Sequence, residues 1–238
     1  MNKIINEIKQ ICPQEYYEIG YASLSGLLNP EYSKYKYGIS LARKLDDQII
    51  DQITNGPTDS YYALYCNINN ELNMKIKLIS NLLKTYHIEV YPIKATVADS
   101  ELDDTYEKTL RYSFSHKLAA TRSGIGWIGK TDLLVTSRFG PRVRLASLLT
   151  TENISHIGVP IDESQCGSCN ICVNHCPAKA ATGQLWTTSV DRDVFFDPFK
   201  CREYCRKISA ERIKKEVTIC GICISVCPKG KKEPLTGI

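Results

Sequence analysis

The chain has 238 residues, of which 43% are hydrophobic and 24% charged, with a formal net charge of +4. That balance is ordinary for a globular protein and leaves room for a sizeable core. It excludes a membrane-spanning protein, because no apolar run approaches the ~20 residues a span needs. Met1 to Gln14 carries Glu7 among its apolar positions and has neither the apolar core nor the cleavage site of a signal peptide. A cytoplasmic location is expected.

Ile4, Ile5, Ile8 and Ile11 recur at helical spacing and predict an amphipathic helix that stops before Pro13. Residues 15–35, rich in Tyr, Gly, Ser and Pro, read as irregular. Tyr37 to Arg43 reads as a buried strand and residues 45–54 as helical. Gly56-Pro57-Thr58-Asp59 is a helix-start signal. Behind it Tyr62, Tyr65, Ile68, Leu72, Ile76, Ile79 and Leu83 form a 3.6-residue stripe, which predicts one long core helix. Cys12 and Cys66 are read as packing residues. Ile88 to Ile93 predicts a strand, residues 103–120 a mainly helical segment, and Asp132–Ser137 and Val143–Thr150 two further strands joined through Gly140-Pro141. Strands mixed with helices point to an α/β or α+β layer architecture.

Gly124-Ile125-Gly126-Trp127-Ile128-Gly129-Lys130 matches G-x-G-x-x-G, yet a helical segment precedes it and a strand follows. A dinucleotide-binding loop needs the reverse order. The glycines instead suggest backbone passing close to something bulky, with Lys130 placed to meet a phosphate or carboxamide there, or a tight structural turn.

Nine of the eleven cysteines fall after residue 165, which divides the chain into a cysteine-poor part, 1–160, and a cysteine-rich part, 161–238. Cys166, Cys169, Cys172 and Cys176, followed by Pro177, have the spacing C-x2-C-x2-C-x3-C-P by which two-cluster proteins hold iron–sulfur clusters. Cys220, Cys223 and Cys227-Pro228 fill the second, third and fourth places of the same template, and Val217 falls on the first. One cluster then takes Cys166, Cys169, Cys172 and Cys227, and the other takes Cys176, Cys220, Cys223 and either Cys201 or Cys205. Structural zinc needs neither the third cysteine nor the x3-Cys-Pro ending. A disulfide framework conflicts with a reducing compartment. Basic residues thicken late in the chain, from Lys200 through Lys214 and Lys215 to Lys229, Lys231 and Lys232. We read them as a counterweight to two anionic clusters, the other reading being contact with an acidic or phosphate-bearing partner.

Ser115–Thr136 and Phe139–Thr150 together resemble the catalytic domain of epoxyqueuosine reductases, and Gly140-Pro-Arg-Val-Arg144 is similar to the related reductive dehalogenases. The resemblance implies a nitroreductase-like α/β layer domain, followed by a bacterial-ferredoxin-like domain with two [4Fe-4S] clusters. It implies a cobalamin lying over Ser123, Gly124, Ile125, Gly126, Trp127, Gly129 and Lys130, with Arg142 nearby. Lys200-Cys201-Arg-Glu-Tyr204 matches the family's stretch around the first ligand of the second cluster, which selects Cys201 and leaves Cys205 spare. The family's acidic proton donor has no counterpart in Thr109–Ser113, so Tyr112, His116 and Lys117 are the candidate replacements. The implied partners are a ferredoxin- or flavodoxin-type electron donor and a small-molecule or nucleoside substrate. A tRNA is also implied, although the helical-repeat domain that helps hold it in the family is not matched up to Ile238. Two functions follow: a cobalamin-dependent iron–sulfur oxidoreductase acting by reductive cleavage, or a ferredoxin-like electron carrier whose N-terminal part docks a partner and binds no cobalamin.

Overall fold

The computed structural model describes residues 2–97 and 101–231; Lys232 of the basic run lies outside them. The chain forms two compact units that interleave in sequence. The first takes the chain up to Lys44, Tyr65–Trp127 and Arg144–Asp162. The second takes Leu45–Leu64, Ile128–Val143 and the chain from Glu163 on. The expected seam at 160 falls beside Asp162, but the cysteine-rich unit also recruits two earlier segments. Packing explains why: a Cβ on Gly221 would stand 2.3 Å from Ile53 Cδ1 and 3.1 Å from Tyr61 Cε1, so residues 45–64 lie directly on the second cysteine run.

In the first unit, helix α1 (Asn2–Ile11) precedes strand β1 (Tyr17–Ser23), which pairs antiparallel with β2 (Tyr37–Lys44), Gly20 opposite Ser40. Strand β1 lies in the stretch expected to be irregular. Its glycine hides the strand pattern but serves the packing, because a Cβ on Gly20 would fall 2.2 Å from Ser123 Oγ. Only a bare backbone lets the chain pass that close.

Helix α2 (Asp47–Asp51) is capped by Asp46, whose side chain accepts from the Gln48 and Ile49 N–H groups, and belongs to the second unit. Helix α3 (Asp59–Thr85) follows the predicted stripe: Ile68, Leu72, Ile76, Ile79 and Leu83 are buried. At its start Tyr61 is buried, one residue before the expected Tyr62. Strand β3 (Val90–Ile93) pairs antiparallel with β6 (Val143–Thr150), and the sheet order is β1-β2-β6-β3.

The expected helix over 103–120 is two helices, α4 (Asp104–Thr109) and α5 (His116–Arg122). Leu110 ends α4 in the left-handed region at φ 49°. Beyond it Phe114 inserts into a core of Tyr32, Tyr35, Ile93 and Leu149. Asn29 Nδ2 donates to Ser113 O at 2.7 Å. Helix α4 buries none of its residues, so nothing favours continuing it at the expense of the Phe114 pocket.

The short strands β4 (Gly126–Ile128) and β5 (Leu134–Thr136) are joined by a turn in which the Gly129 N–H donates to Leu133 O at 2.8 Å. Four helices complete the second unit: α6 (Ile171–Asn174), α7 (Arg192–Phe195), α8 (Pro198–Ile213) and α9 (Ile222–Val226). Asp197 caps α8 by accepting from the Phe199 and Lys200 N–H groups, and Pro198 opens the helix. Among the described residues no helix is long and apolar enough to cross a membrane.

Candidate iron–sulfur centres

The first cysteine run begins with a tight turn. Cys169 N–H donates to Cys166 O at 3.2 Å, and Gly167 holds φ 55°. Helix α6 then presents Cys172, and Cys176 follows the helix, with its own N–H donating to Val173 O. In the second run Gly221, at φ 85°, turns the chain between Cys220 and α9; Cys223 lies on that helix and Cys227 ends it. Helices α6 and α9 pack together, which brings the two runs face to face.

Sulfurs of the two runs come near one another. Cys227, from the second run, stands within electrostatic reach of Cys172, Cys166 and Cys169. Cys223 stands within reach of Cys201, Cys220, Cys172 and Cys176. Cys172 is thus near both Cys223 and Cys227 of the second run. Among the described residues no three His, Cys, Asp or Glu side chains converge on a single-ion site; a cubane asks for one sulfur at each of its four irons.

Burial holds the Cys172 thiol above its ordinary range and pushes Cys227 up to about 11. Burial also raises Cys223. Since iron binds thiolate, loading these positions releases protons that burial would otherwise retain. Several donors already point at sulfur. Thr131 hydrogen-bonds the Cys172 side chain, the Lys229 N–H donates to Cys227, and the Ala180 N–H lies 3.5 Å from Cys176 Sγ. Hydrogen bonds of this kind tune cluster potentials.

On α8, Cys201 and Cys205 are one turn apart with their sulfurs 3.9 Å from each other. Cys205 also hydrogen-bonds Cys220. The hydrogen bond from Cys205 lowers both Cys201 and Cys220, and the same two bonds, with burial, hold Cys205 as the thiol.

The glycine loop divides between the units, with Ser123 to Trp127 in the first and Ile128 to Lys130 in the second. The bulky neighbour of Gly124 is the protein's own chain: at φ 75°, its Cβ would meet Val159 O at 2.5 Å. Segment 158–162 is anchored there. The Ile161 N–H donates to Thr121 O at 2.9 Å, and Arg122 reaches Ile161 O and Asp162 Oδ1, each at 2.6 Å. Ser123 Oγ donates to Ala120 O, and Ile125 and Trp127 are buried.

Lys130, 3% exposed, donates to Asn170 Oδ1 at 2.7 Å, inside the first cysteine run. A Cβ on neighbouring Gly129 would lie 3.6 Å from Cys166 Sγ. Arg142, 1% exposed, is held by Asp47 Oδ1 at 3.1 Å and Asp51 Oδ1 at 2.5 Å. The side chains of Lys130 and Arg142 are thus committed within the second unit.

Of the candidate proton donors, Tyr112 is exposed. His116 Nε2 donates to Lys94 O and its Nδ1 accepts from Ser147 Oγ, each at 2.9 Å, which fixes the neutral tautomer. Burial depresses His116 to about 4. Neither ring nitrogen is left for proton transfer. Lys117, partly buried, follows it on α5. Thr131 and Asn170 were not singled out from sequence; the signal was their position, immediately after the glycine loop and between two ligand cysteines.

Residues 165–230 match the family described as a 4Fe-4S double cluster binding domain. The cysteine-rich unit carries a double [4Fe-4S] cluster domain. Over 164 residues the chain is 30% identical to the epoxyqueuosine reductase of Bacillus anthracis, covering 63% of this chain and 36% of that one. Over 119 residues it is 34% identical to that of Lactococcus garvieae, covering 47% and 31%. The matches thus span about a third of the length of these curated relatives. A solved epoxyqueuosine reductase with a modified tRNA-Tyr stem loop superposes with a TM-score of 0.59 at 20% identity, covering 96% of this chain and 64% of that one. A catabolic reductive dehalogenase in complex with 3-bromo-4-hydroxybenzoic acid gives 0.62 at 15%, covering 92% and 30%. The chain is therefore similar in sequence to epoxyqueuosine reductases and shares the mixed α+β fold of both groups.

Proposed function

We propose that the protein is an iron–sulfur reductase resembling epoxyqueuosine reductases, in which electrons from a ferredoxin- or flavodoxin-type donor pass singly through two [4Fe-4S] clusters. The observation that supports this reading is the match of residues 165–230 to a 4Fe-4S double cluster binding domain, which spans both cysteine runs. In this reading Cys166, Cys169, Cys172 and Cys227 hold one cluster, and Cys176, Cys201, Cys220 and Cys223 the other. The protein's part is to part the thiols from their protons, aim hydrogen bonds at sulfur and bury the clusters enough to set a low potential. Anaerobic reconstitution followed by iron analysis tests it: about eight irons per chain are expected, two clusters of four. About four or fewer would overturn it.

For the acceptor we propose a corrinoid, supported by the likeness to the epoxyqueuosine reductases and to a reductive dehalogenase whose structure was linked to B12-dependent dehalogenation. A reduced corrinoid would supply the nucleophile for reductive cleavage. The engagement of Lys130 and Arg142 gives those two side chains structural work instead, so no step is assigned to them. That engagement favours a second reading, an electron carrier without a corrinoid. Gel filtration of the reconstituted protein with hydroxocobalamin separates the two: co-elution with a spectral change on reduction supports the reductase, and its absence supports the carrier.

A further inference from the structure

The second cluster has one more sulfur at hand than it has irons. Cys176, Cys220 and Cys223 leave a single iron, and two thiols, Cys201 and Cys205, stand beside it. Both occupy the same face of α8, because residues four apart on a helix lie one above the other. Their sulfurs are 3.9 Å apart, and Cys205 hydrogen-bonds Cys220 as well. Cys205 is buried, at 5% exposed. A cubane takes one sulfur per iron, and a hydrogen-bonded pair of thiols cannot serve two irons without parting. The ligand set of the proposed function therefore leaves Cys205 between two bound sulfurs with an S–H to donate.

We infer that Cys205 is a fifth thiol of the second cluster: one helical turn beyond Cys201 and with its sulfur 3.9 Å away, it donates its S–H to the bound sulfur of Cys201, and it takes the iron when Cys201 is absent. In that exchange the Cys205 thiol loses its proton to solvent as its own Fe–S bond forms. The thiolate charge on iron is the same as Cys201 would bring, and no electron moves. In the normal state the donated hydrogen bond draws electron density from sulfur and raises the cluster's potential.

The inference rests on the double-cluster reading, and the full-length protein tests the two separately. Wild type is reconstituted anaerobically beside Cys201→Ala, Cys205→Ala and the double variant; alanine is used because serine can itself ligate iron. Iron content and the EPR spectrum of the reduced protein are measured, with the first cluster reporting that each variant has folded. The expected result is about eight irons in wild type and in both single variants, and about four in the double variant. Cys201→Ala should show an altered EPR signal, and Cys205→Ala a more negative midpoint potential for one cluster. Wild type at four irons sinks the double-cluster reading and this inference with it. If wild type holds eight while Cys201→Ala holds four, the clusters stand and the role of Cys205 falls. A double variant that keeps eight irons, a Cys205→Ala variant that drops to four, or one with an unchanged potential also overturns it.

Discussion

Lys130 Nζ donates a 2.7 Å hydrogen bond to Asn170 Oδ1, and so holds a buried ammonium against the loop between Cys169 and Cys172. A cation beside a cluster favours the reduced state, which carries the extra negative charge. Lys130→Met should therefore shift the midpoint potential of one cluster to more negative values while iron content stays the same. Anaerobic redox titration followed by EPR reads both.

Gly26 and Gly124 both sit at φ 75°, but a Cβ on Gly26 would meet nothing within 4 Å, whereas one on Gly124 would strike Val159 O. Gly26→Ala should cost only the left-handed backbone penalty, about 1 kcal/mol. Gly124→Ala should cost at least about 2 kcal/mol more, since backbone must move. Denaturant unfolding of the two variants gives the comparison directly.

Arg142 is almost wholly buried, its Nε has no hydrogen-bond partner among the described residues, and Asp51 beside it is 56% exposed. Removing the carboxylates strands a buried cation; removing the cation leaves carboxylates that reach water. The double variant Asp47→Asn/Asp51→Asn should thus lose about 3–5 kcal/mol of stability, and Arg142→Met distinctly less. Equal losses would mean that packing of the guanidinium, not its charge, is what counts.

His116, neutral between Lys94 O and Ser147 Oγ, resists protonation until about pH 4. In the unfolded chain it takes up a proton near 6.5. Between those values the unfolded state binds more protons, so stability is full above 6.5 and is lost as pH falls towards 4. The loss is on the order of 3 kcal/mol. His116→Gln should flatten this part of the profile, as measured by the difference in unfolding midpoints between variant and wild type at successive pH values.

The legible parts of the sequence were those where chemistry or period repeats. The stripe Ile68, Leu72, Ile76, Ile79 and Leu83 announced α3, because each turn buries one of its members. The double-cluster domain over 165–230 was legible because C-x2-C-x2-C-x3-C-P and its partial repeat are set by cluster chemistry. Strand β1 was not legible, since Gly20 is there for Ser123, a residue far along the chain. The break after Leu110 depends on the pocket that receives Phe114, which no local pattern announces. Lys130 was expected to meet a phosphate or carboxamide over the glycine loop; that it reaches the protein's own Asn170 needed the fold. Cys201 and Cys205 were legible only as alternatives for one ligand position; that they stand one turn apart on α8, with sulfurs 3.9 Å apart, needed the fold.

Ile53 and Tyr61 lie where a side chain on Gly221 would go, although some 160 residues of chain separate them (order of magnitude, and the kind of separation that slows folding). During synthesis those residues emerge from the ribosome long before the helix they cover. The cysteine-rich unit cannot close until Gly221 and its helix have been made, and a fragment beginning at residue 161 would lack part of its own wall. Cutting the gene at the apparent seam should therefore yield a lobe without the residues that cover its second cysteine run.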